Sequence, residues 1–150
     1  MLDITSTKSR VIANSIPKAG THLLKICLNL FPGLLNANAH LDISMQIETM
    51  LGLLSVVADG GVVTAHLPYQ KAYAQMLKEL RYKTLLIIRD PRDIAVSFSH
   101  YVMKATDHYL NTYYKNLPSD DERLMISIIG SIRSVGIGSD QAVAGNKEGA

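Results

Sequence analysis

The chain has 150 residues, 47% of them hydrophobic and 19% charged, which excludes wholesale disorder and suits one globular domain with a sizeable core. The net charge of +2 does not indicate a nucleic-acid partner, and Cys27, the only cysteine, excludes an intrachain disulfide and fits a reducing compartment such as the cytoplasm. The N-terminus shows no secretory signal and no run approaches the ~20 apolar residues of a membrane span, so we expect no membrane partner.

The first part of the chain predicts a strand, two helices and a loop. The apolar run at residues 10–15 predicts a buried strand. Turn residues follow it, and apolar periodicity then predicts a helix at residues 21–31, with Thr21 as a plausible N-cap. Residues 36–40 are predicted to form a loop and residues 43–58 a second helix.

The middle of the chain continues the alternation. Residues 62–65 predict a strand and residues 70–80 a helix. Residues 84–88 form an unbroken apolar run, which is typical of strands in parallel sheets. Asp90 as N-cap and Pro91 at the first helical position then open a helix that extends to about Lys104.

The last part predicts one more helix and a tail. Residues 107–118 carry no clear pattern, whereas residues 119–122 form a capping box before a helix at residues 124–132. We therefore expect an α/β fold with a parallel sheet flanked by helices, in a domain at residues 1–133. The glycine-rich residues 134–150 predict a flexible tail.

The first candidate site is the sequence PKAGT at residues 17–21, between a predicted strand and a predicted helix. The first N–H groups of a helix have no partner within it and, with the helix dipole, favour an anion. Gly20 allows close approach of the backbone, Thr21 adds a hydroxyl donor and Lys18 a mobile positive charge. The string lacks the Walker A pattern, and taken alone it is more typical of a surface turn.

The second candidate site is RDPRDIAVS at residues 89–97, where the 84–88 strand meets a capped helix. Arg89 emerges at the carboxyl end of that strand, the edge at which ligands bind in open α/β sheets. A guanidinium and the Ser97 hydroxyl together suit a phosphate. Pairing of Arg89 with Asp90 or Asp93 and a packing role for Ser97 explain the pattern equally well.

The third candidate is His66, which lies just past the 62–65 strand, in the sequence TAHLP. A histidine titrates near neutral pH and can take a proton from an alcohol or an amine. A single histidine is more often structural. The other four histidines show no metal-ligand spacing, and of these only His22, at the start of the first helix, adjoins a candidate site.

Together the three sites resemble the sulfotransferases that use 3'-phosphoadenosine 5'-phosphosulfate (PAPS), and they occur in that family's order. PKAGT resembles the family's 5'-phosphosulfate loop, usually PKSGT. RDPRDIAVS resembles its 3'-phosphate motif, and TAHLP resembles the strand end that carries its catalytic histidine. The resemblance covers roughly residues 11–101. The match of all three motifs together is much stronger evidence for the family than the match of any one motif.

The resemblance implies a core like that of P-loop NTPases, and it implies a role for each residue. Lys18 and His66 are implied to be catalytic, with Lys18 at the oxygen that bridges phosphate and sulfate and His66 as general base. The implied nucleotide-binding residues fall in the two phosphate motifs: Lys18, Ala19, Gly20, Thr21, His22, Arg89 and Ser97. The implied co-substrate is PAPS, the product is adenosine 3',5'-bisphosphate (PAP), and no metal is required. The implied acceptor is a small molecule or glycan with a hydroxyl or amine.

The sequence departs from the family pattern in three ways. Ala19, His22 and Leu23 replace the usual serine, threonine and aromatic residue of the loop. The family's late Arg-Lys-Gly segment is absent, and the chain is shorter than the family's domain. We therefore expect a domain that is incomplete at its C-terminus, with an incomplete sheet that promotes self-association.

Three other hypotheses remain open. The chain could be a truncated or degenerate domain that binds a nucleotide or another anion without catalysis. It could be a small nucleotide kinase, which predicts ATP and Mg²⁺ dependence, although the lysine-serine pair of a P-loop is missing. It could also be an α/β domain whose candidate motifs are only surface turns. Binding of PAP and transfer of sulfate distinguish these hypotheses.

Overall fold

The computed structural model describes residues 9–130 of the chain. Four strands and six helices follow one another in these residues: β1 (Arg10–Ser15), α1 (Thr21–Asn29), β2 (Leu35–Asp42), α2 (Ile47–Ser55), β3 (Gly61–His66), α3 (Lys71–Glu79), β4 (Tyr82–Ile87), α4 (Pro91–Lys104), α5 (Asn111–Lys115) and α6 (Asp120–Ile129). The predicted tail at residues 134–150 lies outside the described residues. No helix in the described range is long and apolar enough to cross a membrane.

The four strands form one parallel sheet in the order β2-β3-β1-β4. Residues pair in parallel from Val11↔Val62 to Asn14↔Ala65 between β1 and β3, and from Arg10↔Tyr82 to Ser15↔Ile87 between β1 and β4. Because all four strands run the same way, their carboxyl ends meet at one edge of the sheet. The predicted α/β fold is thus confirmed.

Residues 1–89 form the first of two compact units of the chain. Side chains that alternate along its strands belong to two apolar clusters. Ile12 and Val63 belong to a large cluster that includes Leu54 of α2 and Leu77 of α3. The neighbouring positions on the same strands, Val11, Ala13 and Val62, pack with Leu28 of α1 in a second cluster. Successive residues of a strand point to opposite faces, so helices cover both faces of the sheet.

The second unit, residues 90–150, contains α4, α5 and α6 among its described residues. Val102, Tyr114 and Ile126 contribute one buried side chain from each helix to its core. Asn111 is buried and donates a 2.7 Å hydrogen bond from its side-chain amide to the Val102 carbonyl. Tyr114 of the tyrosine-rich stretch is fully buried, so packing accounts for that residue, whereas Tyr109 is exposed.

One prediction about the strands is wrong. The predicted loop at residues 36–40 lies inside the strand β2. Its sequence, LNANAHLD, has few of the residues that favour strands, and the strand forms through pairing with β3, with an irregularity between Asn36 and His40. The strand predicted at residues 84–88 is confirmed, since β4 pairs in parallel with β1. Among the described residues it lies at the sheet edge, and most of its residues are exposed.

Candidate active site

The carboxyl ends of three neighbouring strands bring the three predicted site segments to one edge of the sheet. In the order β3-β1-β4, His66 ends β3, the PKAGT turn follows β1, and Arg89 follows β4. The turn therefore lies between His66 and Arg89. Parallel pairing of the strands produces this arrangement, because none of the three segments is close to another in sequence.

The turn is shaped by two residues with left-handed backbone conformations. Lys18 has φ 69° and Gly20 has φ 115°, and the Ala19 N–H donates a 3.0 Å hydrogen bond to the Ile16 carbonyl. A Cβ atom at position 20 would lie 3.2 Å from Cδ1 of Ile87. The left-handed backbone at this position therefore favours glycine, and a larger side chain would also have to displace the Ile87 side chain.

The helix α1 begins directly after the turn with an N-terminus that no side chain caps within the described residues. The predicted N-cap, Thr21, is instead the first helical residue, and the N-cap is Gly20. The Thr21 hydroxyl is hydrogen-bonded to the Ser15 hydroxyl. The N-terminal N–H groups of α1 are thus suited to an anion that binds at the turn.

His66 is half-buried, and a hydrogen bond to backbone determines which of its ring nitrogens carries the proton. Its Nδ1 lies 2.9 Å from the carbonyl oxygen of Ser15. A carbonyl oxygen can only accept, so Nδ1 must carry the hydrogen, and in the neutral ring Nε2 holds a lone pair. The geometry prepares Nε2 to accept a proton.

Ser15 and Asn14 at the end of β1 hold the segment around His66. The Ser15 hydroxyl lies 3.4 Å from Nδ1 of His66 and also bonds Thr21, so it links the histidine to the start of α1. Asn14 donates from Nδ2 to the Leu67 carbonyl at 2.9 Å and accepts from the Leu67 N–H at 3.0 Å. Sequence reasoning missed both residues. Their only signal was two polar side chains at the end of an apolar strand.

His40 is a further residue that sequence reasoning missed. Its ring contacts the ring of His66 edge to face, with the centroids 4.8 Å apart. Burial lowers the pKa of His40, and the neighbouring His66 lowers it further. Asp42, which pairs with His66 in the β2–β3 register, accepts hydrogen bonds from the N–H and hydroxyl of Ser44 that hold the pKa of its carboxyl below the usual value.

Of the other predicted residues, three lie at or beside the turn and one lies on α4. Arg89 is exposed and donates from Nη1 to the Lys18 carbonyl at 3.2 Å, which links the end of β4 to the turn. Ala19 is buried, and His22 is exposed on the first turn of α1. Ser97 lies half-buried on α4, in the second unit.

Comparison with known proteins identifies the family. The family model of the sulfotransferase domain matches residues 8–129, most of the chain. The chain belongs to the sulfotransferase family. No curated protein sequence matches this sulfotransferase-family chain.

The fold of this sulfotransferase-family chain is similar to a solved structure, that of mouse sulfotransferase SULT7A1 complexed with PAP. The two share 21% sequence identity with a TM-score of 0.54, over 79% of this chain and 40% of the mouse chain. The likeness supports the sulfotransferase fold. The chain covers less than half the length of the mouse protein.

Proposed function

We propose that this chain binds PAPS and transfers its sulfuryl group to a hydroxyl or amine acceptor. The observation that carries the proposal is the hydrogen bond from Nδ1 of His66 to the Ser15 carbonyl. It leaves Nε2 as a proton acceptor at the same sheet edge as an uncapped helix N-terminus, so a general base and an anion site adjoin. The PAP in the related mouse structure supports the choice of nucleotide.

The proposed reaction is an in-line displacement at sulfur. The acceptor oxygen or nitrogen forms a bond to sulfur while the bond from sulfur to the bridging oxygen breaks, and PAP leaves with that electron pair. The acceptor proton passes to Nε2 of His66. Positioning and charge stabilisation supply most of the rate enhancement in such a transfer, since no covalent intermediate with the protein is needed.

The turn after β1 is the proposed site of the 5'-phosphosulfate. N–H groups at the start of α1, including those of Thr21 and His22, donate to the phosphate oxygens, and Gly20 admits them close to the backbone. Ala19 contributes only its backbone, so the loss of the usual serine is a mild change. Lys18 offsets the charge that develops on the bridging oxygen as the sulfate departs.

Arg89 is the proposed ligand of the 3'-phosphate. Its guanidinium has five N–H donors, and the bond from Nη1 to the Lys18 carbonyl holds the side chain beside the turn. Ser97 remains a prediction for the same phosphate, made from the motif. The acceptor is proposed to be a small molecule or glycan, in the cytoplasm, and the reaction requires no metal.

Calorimetric titration of the purified chain with PAP tests the proposal. We expect saturable binding, weakened about 10- to 100-fold in Arg89→Ala, since a charge-assisted hydrogen bond contributes about 1.5–3 kcal/mol. Arg81→Ala is the matched control, because it removes the same charge at the opposite end of β4. Its affinity for PAP should equal that of the wild type.

A folded chain that does not bind PAP, or binding that Arg89→Ala leaves unchanged, would contradict the nucleotide assignment. Binding of PAP without transfer of labelled sulfate from PAPS to any of a panel of phenols, alcohols, amines and sugars would favour the non-catalytic domain instead. Binding of ATP with Mg²⁺ dependence would favour the kinase hypothesis.

A further inference from the structure

A second histidine lies against the proposed general base. His40 comes from β2 and His66 from β3, and parallel pairing places His40 opposite Thr64. Nδ1 of His40 lies 2.9 Å from Oγ1 of Thr64, and its ring meets that of His66 at an interplanar angle of 73°. The His66 ring is thus held by a backbone hydrogen bond on its Nδ1 and by an aromatic contact with His40.

The hydrogen bonds around Thr64 also determine the tautomer of His40. Oγ1 of Thr64 lies 3.2 Å from the Ala39 carbonyl, which can only accept, so the hydroxyl hydrogen points there. Thr64 must then accept the hydrogen bond from His40, and Nδ1 of His40 carries the proton. In the neutral state both rings are therefore oriented through Nδ1 and keep a lone pair on Nε2.

The surroundings of His40 lower its pKa and so favour its neutral form near pH 7. Burial against the sheet is the largest cause of its lowered pKa, followed by His66; Asp42 raises the pKa and His22 lowers it slightly. A protonated His40 would bring a like charge against the imidazolium that forms on His66 during transfer. The neutral ring does not oppose that charge.

We propose that His40 is a positioning residue for His66: its neutral ring holds the His66 imidazole in the orientation that directs Nε2 at the acceptor proton. The inference rests on the proposed function, because it takes His66 as the base. His40 acts through His66 and not on the substrate. The role requires an aromatic ring at position 40 more than it requires a titratable group.

The test compares His40→Ala, which removes the ring, with His40→Phe, which keeps an aromatic edge and cannot titrate. His100→Ala, an exposed position on α4, is the control. Nitrogen-15 NMR of the imidazoles at pH 7.5 reports the tautomer of His66. We expect the Nδ1–H form in the wild type, His100→Ala and His40→Phe. Without the His40 ring, the His66 ring can rotate away from the Ser15 carbonyl that fixes its tautomer, so we expect a mixture of tautomers in His40→Ala.

Kinetics provide the second readout. His40→Ala should lower kcat by about 10-fold or more with little change in KM, since misplacement of a reacting group costs rate more than affinity. His40→Phe should recover most of that loss. If His40→Ala is folded and keeps both the wild-type tautomer of His66 and the wild-type kcat, the positioning role is wrong. If His40→Phe fails to restore the Nδ1–H tautomer of His66 or most of the lost kcat, the positioning role is also contradicted.

The electrostatic coupling has its own test, which needs neither nucleotide nor acceptor. In His66→Gln the pKa of His40 should rise, because one of the neighbours that lowers it is gone. An unchanged titration of His40 would refute the coupling. If the chain does not bind PAP, the proposed function is wrong, but the titration of His40 in His66→Gln still tests the coupling. Failure of the function and failure of the coupling can therefore be told apart.

Discussion

Gly20 meets two requirements at once, a left-handed backbone and close contact with Ile87. We predict that Gly20→Ala lowers the free energy of unfolding by about 1–3 kcal/mol, from strain at the positive φ and from the displaced Ile87 side chain. It should also weaken PAP binding. Urea denaturation and calorimetry measure the two effects.

Gly52→Ala is the matched control for this change. Gly52 lies inside α2, and a Cβ there would meet no atom within 4 Å. Alanine has the higher helix propensity, so this variant should be more stable by about 0.5–1 kcal/mol. Equal stability changes in the two variants would contradict the assignment of a special conformation to Gly20.

His66 is the residue on which the proposed chemistry depends. We predict that His66→Gln lowers kcat by about 10²- to 10⁴-fold, the usual contribution of a general base, and leaves the affinity for PAP unchanged. Single-turnover transfer of labelled sulfate measures the rate. A variant that keeps the wild-type rate would exclude His66 as the base, and one that loses PAP binding as well would indicate a structural role.

Some residues of the candidate site could be predicted from the sequence because each lies next to a local pattern that marks the start of a helix. Lys18 and Gly20 sit between a strand and a helix, and Arg89 adjoins a capped helix. Asn14, Ser15 and His40 could not be found this way. Their roles arise from contacts across strands more than 20 residues apart in sequence, such as Ser15 with His66 and His40 with Thr64.

At the scale of secondary structure, Tyr82 connects β4 to α2. It is buried, and its hydroxyl donates a 2.9 Å hydrogen bond to the Leu54 carbonyl. We predict that Tyr82→Phe lowers the free energy of unfolding by about 1 kcal/mol at pH 7. Tyr69→Phe, at a side chain that is 88% exposed, should have no measurable effect.

The difference between Tyr82→Phe and wild type should depend on pH. Burial raises the pKa of Tyr82, so the unfolded chain loses this proton first as the pH rises. The stability that the hydroxyl contributes is fully present below pH ~10, and it is lost as the pH rises through the folded-state pKa. Denaturation curves of both proteins should therefore converge above pH ~10. A constant difference would contradict the raised pKa.

Two helix N-termini, those of α4 and α6, could be predicted from the sequence because their capping residues are close by in the chain. Asp90 accepts a hydrogen bond from the Arg92 N–H, and Ser119 accepts one from the Glu122 N–H, as their capping patterns indicate. Both bonds join residues two or three apart, so the sequence alone contains the information. β2 was missed because its residues have low strand propensity and its partner, β3, lies about 25 positions away.

At the scale of the whole molecule, the exposed edge of the sheet predicts association. In the described part of the chain, β4 pairs with β1 on one side and with no strand on the other. Leu86 on this strand is 63% exposed, and Leu85 is 44% exposed. An unpaired apolar edge can pair with another chain, so we predict concentration-dependent self-association.

Light scattering across a dilution series tests this prediction. Leu86→Lys should reduce association, because a charge at a strand edge disfavours pairing. Leu30→Lys, at another exposed leucine just beyond the end of α1, should not reduce association. A monodisperse monomer of the wild-type chain at all concentrations would contradict the prediction.

The sequence by itself determined the α/β class, most of the helices and strands, and the three motifs that resemble a sulfotransferase. These depend on local apolar periodicity, turn residues and caps, which interact over a few positions. Only the tertiary structure decided that β4 is an edge strand, that β2 exists, and that His40 and Ser15 contact His66. Those outcomes depend on strand order and register, which are set by pairing between segments distant in sequence.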